Sequence, residues 1–144
     1  MPYMADSPFK SISILYRKSH IWLNSGCAQY QLSAAQAVVI LIVCDFGGLT
    51  QDEITKRLSL DKSVIAKTVT KLEETGFLIR TTNAKDKRTY DIRPTEKAWE
   101  VYPAVKEQVD ESFRRMTHQM TDAEREEFKR LLLLAADASL ALDE

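Results

Sequence analysis

Residues 50–93 constrain the fold more than any other stretch, because four local signals follow one another there in a fixed order. Thr50 with Glu53 three residues later is a capping box, so a helix starts at about Gln51. Ile54 and Leu58 give that helix an apolar face. Leu58-Ser59-Leu60 leaves room only for a sharp turn. Asp61 suits the N-cap of a second helix, in which Ile65, Val69 and Leu72 fall at i, i+4 and i+7. Gly76 stands where a C′ glycine would end it. Residues 77–82 and 89–93 are short, rich in β-branched and aromatic side chains, and flank a polar loop, which predicts a two-stranded hairpin. Helix, tight turn, helix and hairpin together make a winged helix-turn-helix.

The outer face of the second helix bears on function. Lys62, Ser63, Ala66, Lys67, Thr70 and Lys71 point away from the Ile65/Val69/Leu72 stripe. Small and cationic residues are what a helix needs to enter a major groove, since bulky acidic ones would be repelled by phosphate. Glu73 and Glu74 come only in the last turn, where such a helix leaves the groove. The hairpin tip carries Lys85, Lys87 and Arg88, suited to a flanking minor groove, and Asp86 is placed to orient Arg88 by a charge-assisted hydrogen bond. Thr50 and Gln51, at the start of the preceding helix, complete the expected DNA-facing set. The bland alternative is a solvated amphipathic helix followed by a charged turn.

At this point a resemblance becomes specific. Asp61-Lys62-Ser63, then Lys71-Leu72-Glu73-Glu74 and Gly76-Phe77-Leu78-Ile79-Arg80, resemble the recognition helix and first wing strand of the MarR family, bacterial regulators of the multiple-antibiotic-resistance type. Asp86-Lys87-Arg88 resembles the family's wing signature of an aspartate and an arginine separated by one residue. The likeness takes in Leu32-Ser33 with Gln36 and extends loosely over nearly the whole chain. Lys67 stands where the family commonly has arginine and Ala66 where a hydroxyl residue is frequent, departures that bear on the operator sequence. Arg93-Pro94-Thr95-Glu96-Lys97-Ala98 replaces the usual leucine-threonine and later glycine, which affects how the next helix begins.

The charge distribution agrees with a reader in the middle of the chain. Net charge is −1 over 144 residues. Residues 50–93 hold ten Lys/Arg against seven Asp/Glu, a balance of +3, whereas residues 94–144 hold seven against twelve, a balance of −5. The contrast is modest, so affinity is expected to lean on geometry and dimerisation as well. The length suits one domain, here 1–144. Within it, 32–93 forms the DNA-binding lobe, and 9–28 with 95–142 forms a helical dimerisation region. The expected class is mainly α with a small β-hairpin wing. No run approaches the roughly 18 apolar residues of a membrane span, and residues 1–9 lack a signal-peptide pattern, so a cytoplasmic location is expected by default.

The chain ends carry the dimerisation argument. Residues 9–28 read as one helix with Phe9, Ile12, Tyr16, Ser19 and Leu23 on one stripe and Ile14, Leu15, Ile21 and Trp22 on a second. A helix apolar on two faces is expected to pack on its own domain and on a partner. Asn24-Ser25-Gly26 reads as a place where it frays or bends. Ser33 with Gln36 is a second capping box, opening a helix through Cys44 that stops at Asp45-Phe46-Gly47-Gly48. A long helix from Pro94 or Thr95 to about His118 carries Val101, Val105, Val109, Phe113, Met116 and Met120, and Pro103 is expected to kink or restart it. Thr121 with Glu124 is a third capping box. The last helix presents Phe128, Leu131, Leu132, Ala135, Ala138 and Leu142, and Leu131-Leu132-Leu133-Leu134 is apolar almost all round. So much apolar surface predicts a homodimer, with Phe9, Ile12, Phe128, Leu131, Leu132, Ala135 and Leu142 at its interface and a pseudo-palindromic duplex as its target.

Other chemistry has little support. There is no phosphate-binding glycine loop, nucleophile elbow or metalloprotease motif, so no enzyme, no cofactor and no metal site is expected. His20 and His118 lie far apart in sequence. Cys27 and Cys44 lack a CxxC spacing; Cys44 reads as core, whereas Cys27, near a helix end, reads as more exposed and a candidate redox group. Tyr16, Trp22, Tyr30, Phe46, Trp99 and Tyr102 are either core or the walls of a small-molecule pocket. The resemblance implies a pocket for aromatic or lipophilic compounds, and Tyr16, His20, Trp22 and Trp99 are the candidates. The expected function is a dimeric, sequence-specific DNA-binding transcriptional repressor released by a small ligand. The alternatives are a winged-helix module that binds protein rather than DNA, and a redox-responsive regulator using Cys27.

Overall fold

Side-chain caps set most helix starts in the computed structural model, which describes residues 2–142; residue 1 and residues 143 and 144 of the expected 1–144 domain lie outside it. After a short 3-10 turn, α1 (Pro8–Cys27) begins at Ser7, whose hydroxyl accepts the Phe9 N–H at 3.3 Å, with Pro8 in the first helical position. The expected break at residues 24–26 does not occur, and these residues do packing work instead. The Asn24 amide oxygen accepts the Ala34 N–H at 2.6 Å, satisfying a donor at the start of the next helix. At Gly26 the Gln108 side chain lies across α1 so closely that a Cβ there would meet its Oε1 at 2.0 Å.

A 3-10 turn leads into α2 (Ala34–Phe46), which opens with the Ser33/Gln36 capping box and ends on Gly47 at φ +72°. Two residues of strand, β1 (Leu49–Thr50), precede α3 (Gln51–Leu58). The expected Thr50/Glu53 box is present in full. Ser59, at φ +51°, turns the chain sharply into α4 (Lys62–Glu74). Then come β2 (Leu78–Thr82) and β3 (Tyr90–Pro94). The expected two-stranded hairpin is a three-stranded antiparallel sheet in the order β1-β3-β2, because Leu49 pairs with Ile92 on the far edge of β3.

α5 (Glu96–Met116) runs unbroken through Pro103. Proline removes a donor from the helix ladder, but Pro103 and Trp99, whose carbonyl loses that donor, are both exposed, so water can satisfy it. α6 (Asp122–Ala141) starts with the third capping box. At its root the Arg125 Nε–H donates to the buried Thr117 hydroxyl at 3.0 Å, and the Phe113 and Phe128 rings stack 6.1 Å apart.

The core gathers around α2. Val39, Ile40 and Val43 meet Ile54, Ile65, Val69, Leu72, Leu78, Ile92, Ala98 and Val105, all essentially inaccessible to solvent. α5 packs on both α1 and α2, and α2 packs on α4 and β3, so the helix-turn-helix rests on the same core as the long helices. α6 is different: none of its residues is buried. No single helix among the described residues is long and apolar enough to cross a membrane.

Candidate nucleic-acid interface

Burial orients α4 unambiguously. Ile65, Val69 and Leu72 are fully buried, so the opposite face, with Lys62, Ser63, Lys67, Thr70 and Lys71, is exposed and Ala66 is half-buried at its edge. Val64, 41% exposed, adds an outward apolar group that periodicity placed off both stripes. Asp61 occupies the N-cap position in an extended conformation, but its side chain accepts no helix N–H, so the expected cap is one of position only. The Thr50 hydroxyl accepts the Glu53 N–H at 3.2 Å and donates to Glu53 Oε1 at 3.0 Å; Gln51 beside it is half-buried.

The end of α4 is locked by a two-bond C-terminal motif. The Phe77 N–H donates to the Leu72 carbonyl at 2.8 Å and the Gly76 N–H to the Glu73 carbonyl at 3.1 Å, with Gly76 at φ +86°. Lys97 then donates to the Thr75 carbonyl at 2.6 Å while its ammonium sits 4.4 Å from the Phe77 ring centre. A cation at a helix C-terminus complements the dipole, so α5 clamps the end of α4 in place.

The wing tip is built by Asn83 and Asp86. Asn83 Oδ1 accepts the N–H groups of Lys85 and Asp86 at 2.8 and 2.9 Å, and its amide donates to Asp91 at 2.8 Å. Asp86 Oδ1 accepts the Arg88 backbone N–H and Nε–H, both at 3.0 Å, and Oδ2 accepts Nη2–H at 3.2 Å. The Arg88 guanidinium beside it lowers the Asp86 carboxyl below its ordinary value. Asn83 was not singled out from the sequence, although an Asx turn at a hairpin tip is a recognisable signal.

Unspent positive charge collects on this side. Lys67, Lys71, Lys85 and Lys87 make no ion pair among the described residues, and Lys62 faces Asp52 only at 3.9 Å with both side chains well exposed.

The four candidate pocket residues fall into three separate contacts. Tyr16 and His20 rings lie 4.2 Å apart on α1, Trp22 lies 5.8 Å from the Arg115 guanidinium, and Trp99 is 5.5 Å from Tyr102. Tyr102 in turn donates to Asp45, which raises its phenol above the ordinary value. A cleft of about 620 Å³ lies elsewhere, between the α3–α4 turn (Thr55, Lys56, Arg57, Ser59, Leu60 and Asp61) and Leu140 near the tip of α6.

Cys27 is not the more exposed thiol that its place near a helix end suggests. It is 0% exposed, because the end of α1 is covered by the core rather than open to solvent. Burial pushes its thiol up, and burial with the nearby Asp45 charge pushes Cys44 up to about 11. Neither forms thiolate readily, which is the reactive species. His20 is half-buried and His118 exposed, and the described residues contain no cluster of three His, Cys, Asp or Glu able to hold a metal.

The expected interface residues are open. Phe9 is 70% exposed, Ile12 63% and Leu142 86%; Leu131, Leu132 and Ala135 are exposed as well, and Phe128 is half-covered by Phe113.

Known proteins share this architecture. A sequence model of the MarR family matches residues 30–89, from the turn after α1 to the end of the wing loop, just before β3. The uncharacterized HTH-type transcriptional regulator YybA of Bacillus subtilis (strain 168) is 25% identical over 85% of this chain and 82% of its own. Among solved structures, a MarR transcriptional regulator from Methanosarcina mazei Go1 superposes with a TM-score of 0.87 at 26% identity, over 92% of this chain and 96% of that one. A MarR family regulator from Listeria monocytogenes, solved with a 26mer DNA, superposes with a TM-score of 0.88 at 20% identity, over 94% and 91% of the two chains. These relatives are transcriptional regulators, and the chain is similar to MarR-family regulators in sequence over residues 30–89 and in fold over nearly its whole length.

Proposed function

We propose that the protein is a homodimeric repressor that reads duplex DNA with α4 and releases it when a small ligand binds. The observation that carries the DNA assignment is the solvent face of α4. Its Lys62, Ser63, Lys67, Thr70 and Lys71 are exposed and its opposite face is wholly in the core, so the helix has one side to offer and that side suits a groove. The wing adds Lys85, Lys87 and Arg88 for phosphates and a neighbouring minor groove. The Listeria regulator of the same fold was solved on DNA, which supports the reading. Dimerisation is supported by α6, which has no buried residue within its own chain yet carries four consecutive leucines that are each 41–64% exposed.

Release by a ligand requires that the ligand bind one spacing of the two α4 helices better than another. Coupling of about 1–3 kcal/mol, or 5- to 150-fold in affinity, is the ordinary scale. An aromatic carboxylate or similar lipophilic compound between α1 and the winged lobe, against the Tyr16 and His20 rings, would act in this way. Selection of binding sites from random duplex DNA tests the central assignment. Enrichment of a pseudo-palindrome is expected. Enrichment of nothing would leave the protein-binding winged helix as the better reading.

A further inference from the structure

One ion pair differs from the rest. Arg80 Nη2 lies 2.8 Å from Glu73 Oε1, with the two side chains 30% and 29% exposed, whereas in every other pair among the described residues at least one side chain is half or more exposed. Glu73 belongs to the last turn of α4. Arg80 is the middle residue of β2 and shares a sheet face with the buried Leu78, two residues before it. Its guanidinium also sits 5.3 Å from the ring centre of Tyr90, the first residue of β3 and the root of the wing tip. Its Nε–H is buried without an acceptor, a costly placement that the other contacts must hold in being. One side chain therefore touches the end of α4 and, at Tyr90, the part of the wing next to its tip.

We propose that Glu73, Arg80 and Tyr90 form a brace that sets the angle between α4 and the wing, and that the brace positions the wing for DNA. This rests on the DNA-reading role proposed for α4 and the wing. Pairing with β1 ends at Asp91, so from the Thr82–Tyr90 pair outward the wing is only two strands and marginal by itself, and its direction depends on what grips it there. Without the brace, Lys85, Lys87 and Arg88 fall out of register with the duplex that α4 occupies. Glu73 is thus a positioning residue that carries the same charge as the phosphates and still strengthens binding.

That sign makes the test sharp. Glu74, the next residue, is exposed and has no ion pair among the described residues, so Glu74→Ala removes the same charge from the same turn without touching the brace. Charge alone predicts that both Glu73→Ala and Glu74→Ala bind DNA at least as tightly as wild type. The brace predicts that Glu74→Ala does so, whereas Glu73→Ala binds a selected duplex about fivefold or more weakly and its slope of log K against log salt becomes shallower by about one, the loss of one phosphate contact. Amide exchange in the DNA-free protein is expected to rise over residues 78–82 and 90–93 in Glu73→Ala alone. Tyr90→Leu, which keeps apolar contact but removes the ring, is expected to shift the salt slope in the same direction and guards against a folding defect in the first variant. If Glu73→Ala binds like Glu74→Ala, with the wild-type slope, the brace is overturned and the DNA reading stands. If wild type selects no duplex at all, the DNA reading falls and the brace falls with it.

Discussion

The Asp86 carboxylate grips Arg88 at three points, accepting its backbone N–H and Nε–H on one oxygen and its Nη2–H on the other. The arginine is nonetheless 89% exposed, so the carboxylate fixes its direction without covering it. Arg88→Ala is expected to weaken binding broadly across DNA sequences, because a minor-groove arginine reads width and charge more than base identity. Asp86→Ala is expected to weaken it less, since the charge remains but its aim is lost. Titration of a selected duplex with each variant checks this. Equal affinity and equal salt dependence for Arg88→Ala would remove the wing from the interface.

The same contact predicts a titration. Hydrogen bonds from Arg88 lower the Asp86 pKa below its ordinary value. A lowered folded-state pKa means that the contact contributes fully above the ordinary value and is lost as pH falls through the lowered one. Carboxyl NMR of Asp86 is expected to show a midpoint below that of an unpaired aspartate, moving up in Arg88→Ala. A midpoint that does not move would show that the pair does not persist in solution.

Val64 and Ile65 are neighbours on opposite sides of α4. Ile65 is 0% exposed and Val64 is 41% exposed. Ile65→Ala is expected to cost about 2–5 kcal/mol of unfolding free energy, the usual range for a fully buried large-to-small change, whereas Val64→Ala should change stability little. Urea melts of the two variants check the orientation of the helix. Comparable losses would mean that α4 is rotated.

Much of this fold was legible because the relevant signals are local. The capping boxes at Ser33/Gln36, Thr50/Glu53 and Thr121/Glu124 each lie within one turn of helix, and all three form as their spacing predicts. What escaped depends on partners distant in sequence. β1 is two residues long, too short for any periodicity, and exists only because Ile92 and Asp91 pair with it. Asn24 reads as a helix breaker until Ala34 is placed beside it. Pro103 reads as a kink until it is seen to lie on an exposed stripe of α5. Within the candidate interface the outward face of α4 was readable from the i, i+4, i+7 stripe. The contacts of Arg80 were not, because they require knowing which face of β2 turns toward α4.

Cys27 supplies a further expected outcome. With both thiols buried and raised, native protein should react with an aromatic disulfide reagent far more slowly than urea-unfolded protein, in which both cysteines should label. Mild peroxide should leave DNA affinity unchanged. Rapid labelling of Cys27 in the native protein would reopen the redox reading.

The leucine run on α6 tests dimerisation without disturbing the core. Leu132 is 41% exposed within its own chain and lies outside the buried core, so Leu132→Glu removes little core burial. Sedimentation is expected to show wild type as a dimer at micromolar concentration and the variant shifted toward the 16.4 kDa monomer with unchanged helix content. A monomeric wild type would contradict the proposed assembly.

Hydroxyl-radical footprinting of the wild-type protein on a selected duplex tests the central claim most directly. Two α4 helices related by a twofold axis should protect two patches on one face of the DNA, centred about 10 bp apart. Weaker protection is expected in the flanking minor grooves, lost in Arg88→Ala. A single asymmetric patch, or protection with no register on the sequence, would contradict it.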